Sequence, residues 1–169
     1  MVFIFRLLSH LSLAWLHRIG AVLGWLAWLF SPTYRRHMRE NMVLALGEDE
    51  ARRLRASAIA HAGRSALELP RLWLHPLERT AALVVKVSGF ELFEEATRAG
   101  KGIVYLTPHL GCFEVTAQYM STFAPVTVLY RPPKQAWLQT LIMAGRARKQ
   151  LHLATADLAG VRTLLKAPP

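Results

Sequence analysis

Apolar and polar positions change rhythm along this chain. From residue 1 to 30 only Arg6, Ser9, His10, Ser12, His17 and Arg18 interrupt a strongly apolar stretch. Its longest unbroken apolar or glycine run, Ile19 to Phe30, has 12 residues, whereas a helix needs about 20 to cross a bilayer. Leu7 to Phe30 is long enough but carries His17-Arg18 near its middle, and a central arginine costs roughly 2.5–3.5 kcal/mol on insertion scales. The pattern predicts either a marginal span or a helix lying in the membrane interface, with Trp15, Trp25 and Trp28 at headgroup depth. A signal peptide has an apolar core of similar size, but no clear small-residue cleavage site precedes Ser31-Pro32. The basic cluster Tyr34-Arg-Arg-His-Met-Arg39 follows at once. A retained anchor over 1–30, on the cytoplasmic side where anionic lipid attracts Lys and Arg, is the expectation.

Beyond residue 31 the rhythm alternates between helix-like and strand-like. Leu54, Ala58, Ile59, Ala62 and Ala66 form an apolar stripe that predicts a helix from Glu48 to Leu69, broken by Pro70 and Pro76. Val84 to Val87 reads as a strand, Phe90 to Arg98 as a helix ended by Gly100, and Ile103 to Leu106 as a second strand. A helix from Phe113 to Phe123 follows, with Phe113, Ala117, Tyr119 and Met120 apolar. Next come a strand from Val126 to Leu129, a helix near Ala136 to Lys149, the short alternating stretch Leu151 to Thr155, and a helix from Leu158 to Lys166. The alternation predicts an α/β fold, with 31–169 as one domain and no internal repeat.

Composition narrows the partners. Hydrophobic residues make up 53% of the chain and mean hydropathy is +0.22, high enough to imply membrane contact. A net charge of +10 predicts an acidic partner: anionic lipid, an acidic carrier protein or nucleic acid. Nucleic acid fits least, because the basic residues are not interleaved with exposed aromatics. The single cysteine, Cys112, excludes an internal disulfide and fits a reducing compartment.

Candidate chemistry centres on Tyr105-Leu-Thr-Pro-His109-Leu-Gly-Cys-Phe-Glu114, a histidine five residues ahead of a glutamate. With 7 histidines and 11 acidic residues in 169 positions, such a pair arises by chance about once in two chains of this kind. It occurs here twice, since His152 and Asp157 share the interval. On one continuous helix, positions five apart lie about 140° round the axis and do not face each other. The pair therefore needs His109 in a turn and Glu114 in the first helical turn, where the sequence places them. Asp157 reads instead as the N-cap of the last helix. A histidine oriented by a carboxylate can remove a proton from a hydroxyl, the chemistry of acyl transfer to an alcohol. Cys112, between turn and helix, reads as a small packed side chain rather than a nucleophile. Arg131 and Lys134, in Tyr-Arg-Pro-Pro-Lys134 after the Val126 strand, are candidate anion contacts, as are Arg146 and Arg148.

These blocks carry a resemblance. Gly100 to Glu114 resembles the HX4D/E block of the lysophospholipid acyltransferase superfamily, closest to the late acyltransferases (lauroyl or myristoyl) of bacterial lipid A biosynthesis. Tyr130-Arg-Pro-Pro-Lys134 is similar to that family's second block. Arg35 to Asn41, Ser88 to Leu92, Gln139 to Arg148 and Ala156 to Gly160 also follow its pattern. The resemblance implies an acyltransferase-type mixed sheet flanked by helices, and a chain that corresponds to roughly the first 60% of a member, without the later aspartate-containing block. It further implies His109 as general base, Glu114 as the residue that fixes its tautomer, and acyl carrier protein thioester as co-substrate with no metal or cofactor. The acceptor it implies is a hydroxyl of a lipid A precursor at the inner membrane, with glycerol phosphate or a lysophospholipid as the alternative. An inactive, membrane-associated copy is the reading from a different class.

Overall fold

The structure, a computed structural model, describes residues 2–148 and 150–166. Two compact units divide the described residues: the first is Phe3–Arg71, and the second groups Val2 with the part from Leu72 onward.

The first unit is helical. Helix α1 (Val2–Ser9) precedes α2 (Leu13–Phe30), α3 (Pro32–Leu46) and α4 (Glu48–Leu74), whose last turn belongs to the second unit. The apolar front is thus two helices, because Ser12 caps α2 through the Trp15 N–H at 3.4 Å. Ser31 ends α2 and starts α3, its hydroxyl accepting from the Tyr34 N–H, with Pro32 at the first helical position. Helices α2 and α4 meet at glycines. A Cβ on Gly20 or Gly24 would strike the α4 backbone near Gly63 and Ile59, and one on Gly63 would strike α2. Leu16, Ile59 and Ala51 fill this small core. The polar His17 of α2 is answered by α4, its Nε2 lying 2.7 Å from Glu68 Oε1, while Arg18 lies over the ring of Trp15 in its own helix, 4.9 Å from the centroid. The opposite side of α2 exposes Trp15, Val22, Leu26 and Leu29.

Helix α4 departs from the expected break at Pro70, running unbroken to Leu74 with Pro70 inside. An interior proline costs about 3 kcal/mol through its missing N–H and its clash with the preceding turn. Here Pro70, Leu72 and Trp73 are all buried. The terminal carbonyls are capped from afar: the Arg148 guanidinium donates to Leu72 O at 3.0 Å, Trp73 O at 2.7 Å and His75 O at 2.6 Å.

The second unit continues with α5 (Leu77–Ala81), α6 (Phe90–Arg98) and α7 (Phe113–Met120). It closes with β1 (Val126–Tyr130), α8 (Ala136–Arg146), β2 (Leu151–Thr155) and α9 (Leu158–Leu165). Strand β1 pairs in parallel with β2, in register Val126 to Leu151 through Tyr130 to Thr155, with α8 as the crossover. Leu141 and Ile142 of α8 and Leu151 and Ala154 of β2 are buried. Phe90, Phe93, Tyr119 and Phe123 form an aromatic cluster that Tyr105 joins at 6.5 Å from Phe93.

The α/β class holds, but the sheet is smaller than expected and, among the described residues, parallel rather than mixed. Val84 to Val87 and Ile103 to Leu106 form no strands. Apolar runs signal a preference for burial, yet a strand also needs a neighbour for its N–H and C=O groups. These two segments find none among the described residues, leaving Val85 94%, Val104 81% and Leu106 93% exposed. The expected helix to Phe123 ends at Met120, and the expected end at Lys149 lies outside the described residues.

Candidate functional site

His109 sits in the irregular segment before α7, exposed, with a positive φ of 49°. A non-glycine residue rarely adopts that conformation; Gly111, at φ 58°, lets the chain reverse just after it. The imidazole stacks on Phe113 at 4.2 Å between ring centroids. Its Nδ1 lies 3.4 Å from Thr107 O. As donor to that carbonyl, Nδ1 carries the proton and leaves the Nε2 lone pair free to accept one.

Glu114 lies in the first turn of α7, where a negative charge suits the helix dipole. The structure buries it and gives it partners distant in sequence. Its Oε2 accepts from Trp73 Nε1 at 3.0 Å and from Arg146 Nε at 2.9 Å. Its Oε1 accepts from the second prong of Arg146. Arg146 also lies over the Trp73 ring, 5.8 Å from its centroid. Gly145 makes this possible, since a Cβ there would collide with the Trp73 side chain. Three elements, the end of α4, the start of α7 and the end of α8, thus converge on one carboxylate. A two-pronged guanidinium and an indole fix it in place.

His109 and Glu114 share no hydrogen bond among the described residues. Yet a carboxylate offers about four acceptor positions, and among the described residues Arg146 and Trp73 occupy three. The remaining one, on Oε1, can take a further N–H donor.

The other candidate residues lie as follows. Arg131 follows β1 directly and is exposed, as is Lys134 in the next turn. Arg146 is committed to Glu114. Arg148 is committed to backbone carbonyls, its Nε donating to Gly145 O at 2.8 Å beside the three bonds to the end of α4. Burial pushes its pKa down while Glu78 opposes the shift. Both arginines were expected as phosphate contacts; the structure gives their donors internal uses. Cys112 is exposed rather than packed, so the expected filler role does not hold. The second pair separates: His152 is exposed on β2, and Asp157 caps α9 by accepting from the Gly160 N–H at 2.8 Å. That bond, reinforced by Thr155, pulls the Asp157 carboxyl below its ordinary value.

Sequence reasoning missed Trp73 and Gln118. Trp73 gave no local signal, its partner lying 41 residues away. Gln118 is four residues beyond Glu114, on the same face of α7. It is 1% exposed, and its Oε1 and Nε2 have no partner among the described residues.

Two comparisons with known proteins agree with each other. The family described as bacterial lipid A biosynthesis acyltransferase matches residues 1–167. The chain is also 28% identical, over 158 residues, to the lipid A biosynthesis lauroyltransferase of Escherichia coli (strain K12). That match covers 89% of this chain and 50% of the relative, so the chain spans about half the length of the curated relative it matches.

Proposed function

Because the chain belongs to the bacterial lipid A biosynthesis acyltransferase family, we propose that it carries the hydroxyl-activating part of an O-acyltransferase acting at the cytoplasmic face of the inner membrane. The acceptor is a hydroxyl of a lipid A precursor and the donor an acyl carrier protein thioester. His109 Nε2 takes the hydroxyl proton as the oxygen attacks the thioester carbonyl. The C–S bond then breaks, an ester forms, and the proton passes from the imidazolium to the departing thiolate. No nucleophile from the protein is required.

In this reading His109 and Glu114 form their dyad with substrate bound. Nδ1–H leaves Thr107 O, a long contact at 3.4 Å, for the open position on Glu114 Oε1. Catalytic hydrogen bonds of unliganded enzymes often tighten in this way only in the reacting complex. Arg131 and Lys134, exposed after β1, serve as contacts for phosphate or for charge developing on the carbonyl oxygen. Arg146 and Trp73 are positioning residues, acting through Glu114. The apolar face of α2 lies in the membrane interface rather than across the bilayer. A spanning α2 would draw Arg64 and Glu68 of the closely packed α4 into hydrocarbon.

The observation that carries this reading is the exposed, turn-borne His109 immediately ahead of a buried and rigidly held Glu114. Its test is transfer of a labelled acyl group from acyl carrier protein to a tetra-acylated lipid A precursor by membranes containing the chain. Product is expected, and His109→Ala and Glu114→Ala are each expected to lower its rate at least a hundredfold. Turnover unchanged in His109→Ala would sink the mechanism. Transfer to a lysophospholipid instead would move the chain to the alternative acceptor class.

A further inference from the structure

The first unit contains a basic groove that the acyl-transfer chemistry does not use. It opens where α2 ends and α3 begins, is lined by Trp28, Pro32, Arg35, Arg36, Arg39 and Arg55, and has a volume of ≈ 320 Å³. A smaller hollow of ≈ 150 Å³ adjoins it, sharing Arg39 and Arg55 and adding Met42, Val43, Ala51 and the Glu48–Arg52 pair. Arg39 and Arg55 come from different helices, α3 and α4, so the helix packing rather than the local sequence brings their charges to one wall.

The surrounding charges are unevenly answered. Arg36 lies 3.9 Å from Glu40, and Arg52 lies 3.7 Å from Glu48 and 3.8 Å from Asp49. Arg35 reaches the Trp28 carbonyl at 3.5 Å. Arg39 and Arg55 have no carboxylate partner among the described residues. Like charges facing one groove repel, and an anion between them turns that repulsion into attraction. Guanidinium groups suit phosphate in particular, because their forked N–H donors meet two phosphate oxygens at once.

The walls say what the phosphate is attached to. Trp28 and Pro32 make one side apolar, and Leu26, Leu29 and Phe30 at the end of α2 are exposed beside it in sequence. A soluble anion makes no use of that surface; an amphiphile uses both halves. We propose that this groove binds the phosphate headgroup of an anionic membrane lipid, with Arg39 and Arg55 as the principal contacts and the end of α2 against the acyl chains. This deepens the membrane-surface part of the reading above and is independent of the catalytic part.

Flotation of the full chain with vesicles of phosphatidylglycerol and phosphatidylcholine, against phosphatidylcholine alone, tests it. Preferential binding to the anionic vesicles is expected. Arg39→Gln with Arg55→Gln should weaken that binding about thirtyfold, whereas Arg53→Gln with Arg162→Gln, which removes the same charge elsewhere, should weaken it less than threefold. Arg39→Lys with Arg55→Lys keeps the charge but not the fork and should fall between the two. Circular dichroism on each variant ensures that folded proteins are compared. Equal losses in the two glutamine pairs would reduce the groove to bulk charge and overturn the proposal. Displacement of the chain from vesicles by inorganic phosphate at matched concentration would make it a soluble-anion site and overturn the lipid assignment. Wild-type chain that ignores anionic vesicles would overturn the membrane-surface reading as well, while the acyl-transfer assay reports separately on His109.

Discussion

His109 and Glu114 are separated by the same interval as His152 and Asp157, and in both pairs the acid stands at the start of a helix, α7 or α9. Asp157 is exposed and accepts from the N–H of Gly160, three residues on in its own helix. Glu114 is 7% exposed and holds Arg146 and Trp73, 32 and 41 residues away. The first carboxylate serves one helix; the second ties three elements together beside an exposed histidine. Spacing therefore identifies neither as functional. What separates them is the range of the partners, and range is a property of the fold.

The comparison breaks most visibly at Glu114. Glu114→Ala leaves Arg146 half-enclosed without its counter-charge and Trp73 without an acceptor. Loss of one partner of a buried ion pair costs about 3–5 kcal/mol, and the 22% exposure of the Arg146 side chain places this case near 3 kcal/mol. Chemical denaturation of the purified chain in detergent should show that loss. Arg146→Met in the Glu114→Ala background should recover part of it, since the stranded charge goes too. If Glu114→Ala unfolds at the wild-type denaturant concentration, the carboxylate is not the tie described here.

A smaller effect is expected at Gly145, which never touches the carboxylate. Gly145→Ala puts a methyl group where the Trp73 ring lies, so the indole must shift and the Nε1 bond to Glu114 lengthens. Overpacking of this kind costs about 1–3 kcal/mol. Acyl transfer should fall with it, although neither residue meets substrate. Trp73→Phe in the same background separates the causes. If activity falls because the indole bond is lost, the second substitution adds little; additive losses would mean that Gly145 acts elsewhere.

How much of this could be read from the chain depends on the range of each determinant. Helix α6 runs from Phe90 to Arg98 as its own amphipathic period and Gly100 dictate. The Asp157 cap is likewise written within four residues. The interval and turn around His109 were legible too, because Thr107-Pro108 and Gly111 act locally. Helix α4 crosses Pro70 because Arg148, 78 positions later, caps its end. That contact, the Trp73–Glu114 bond and the α2–α4 glycine crossing depend on pairings that no local window contains. The segments 84–87 and 103–106 show the same limit from the other side: their apolarity is local, but strand formation depends on a partner.

Asp157→Ala gives the smallest effect and the sharpest control. The backbone hydrogen bond from Gly160 lowers the Asp157 carboxyl below its ordinary value of 3.8. A depressed carboxylate contributes stability that is complete above the unfolded-state pKa and disappears as pH falls through the lower folded-state value. The cap is therefore fully effective at neutral pH, and its loss should lower the Tm slightly there, less than Glu114→Ala does. As pH falls below the ordinary value of 3.8 and through the lower folded-state value, the difference between Asp157→Ala and the parent should shrink toward zero. Acyl transfer should not change, because the carboxylate faces its own helix. A large loss of transfer in Asp157→Ala, with the fold intact, would place the His152 pair in the site and reverse the contrast between the two intervals.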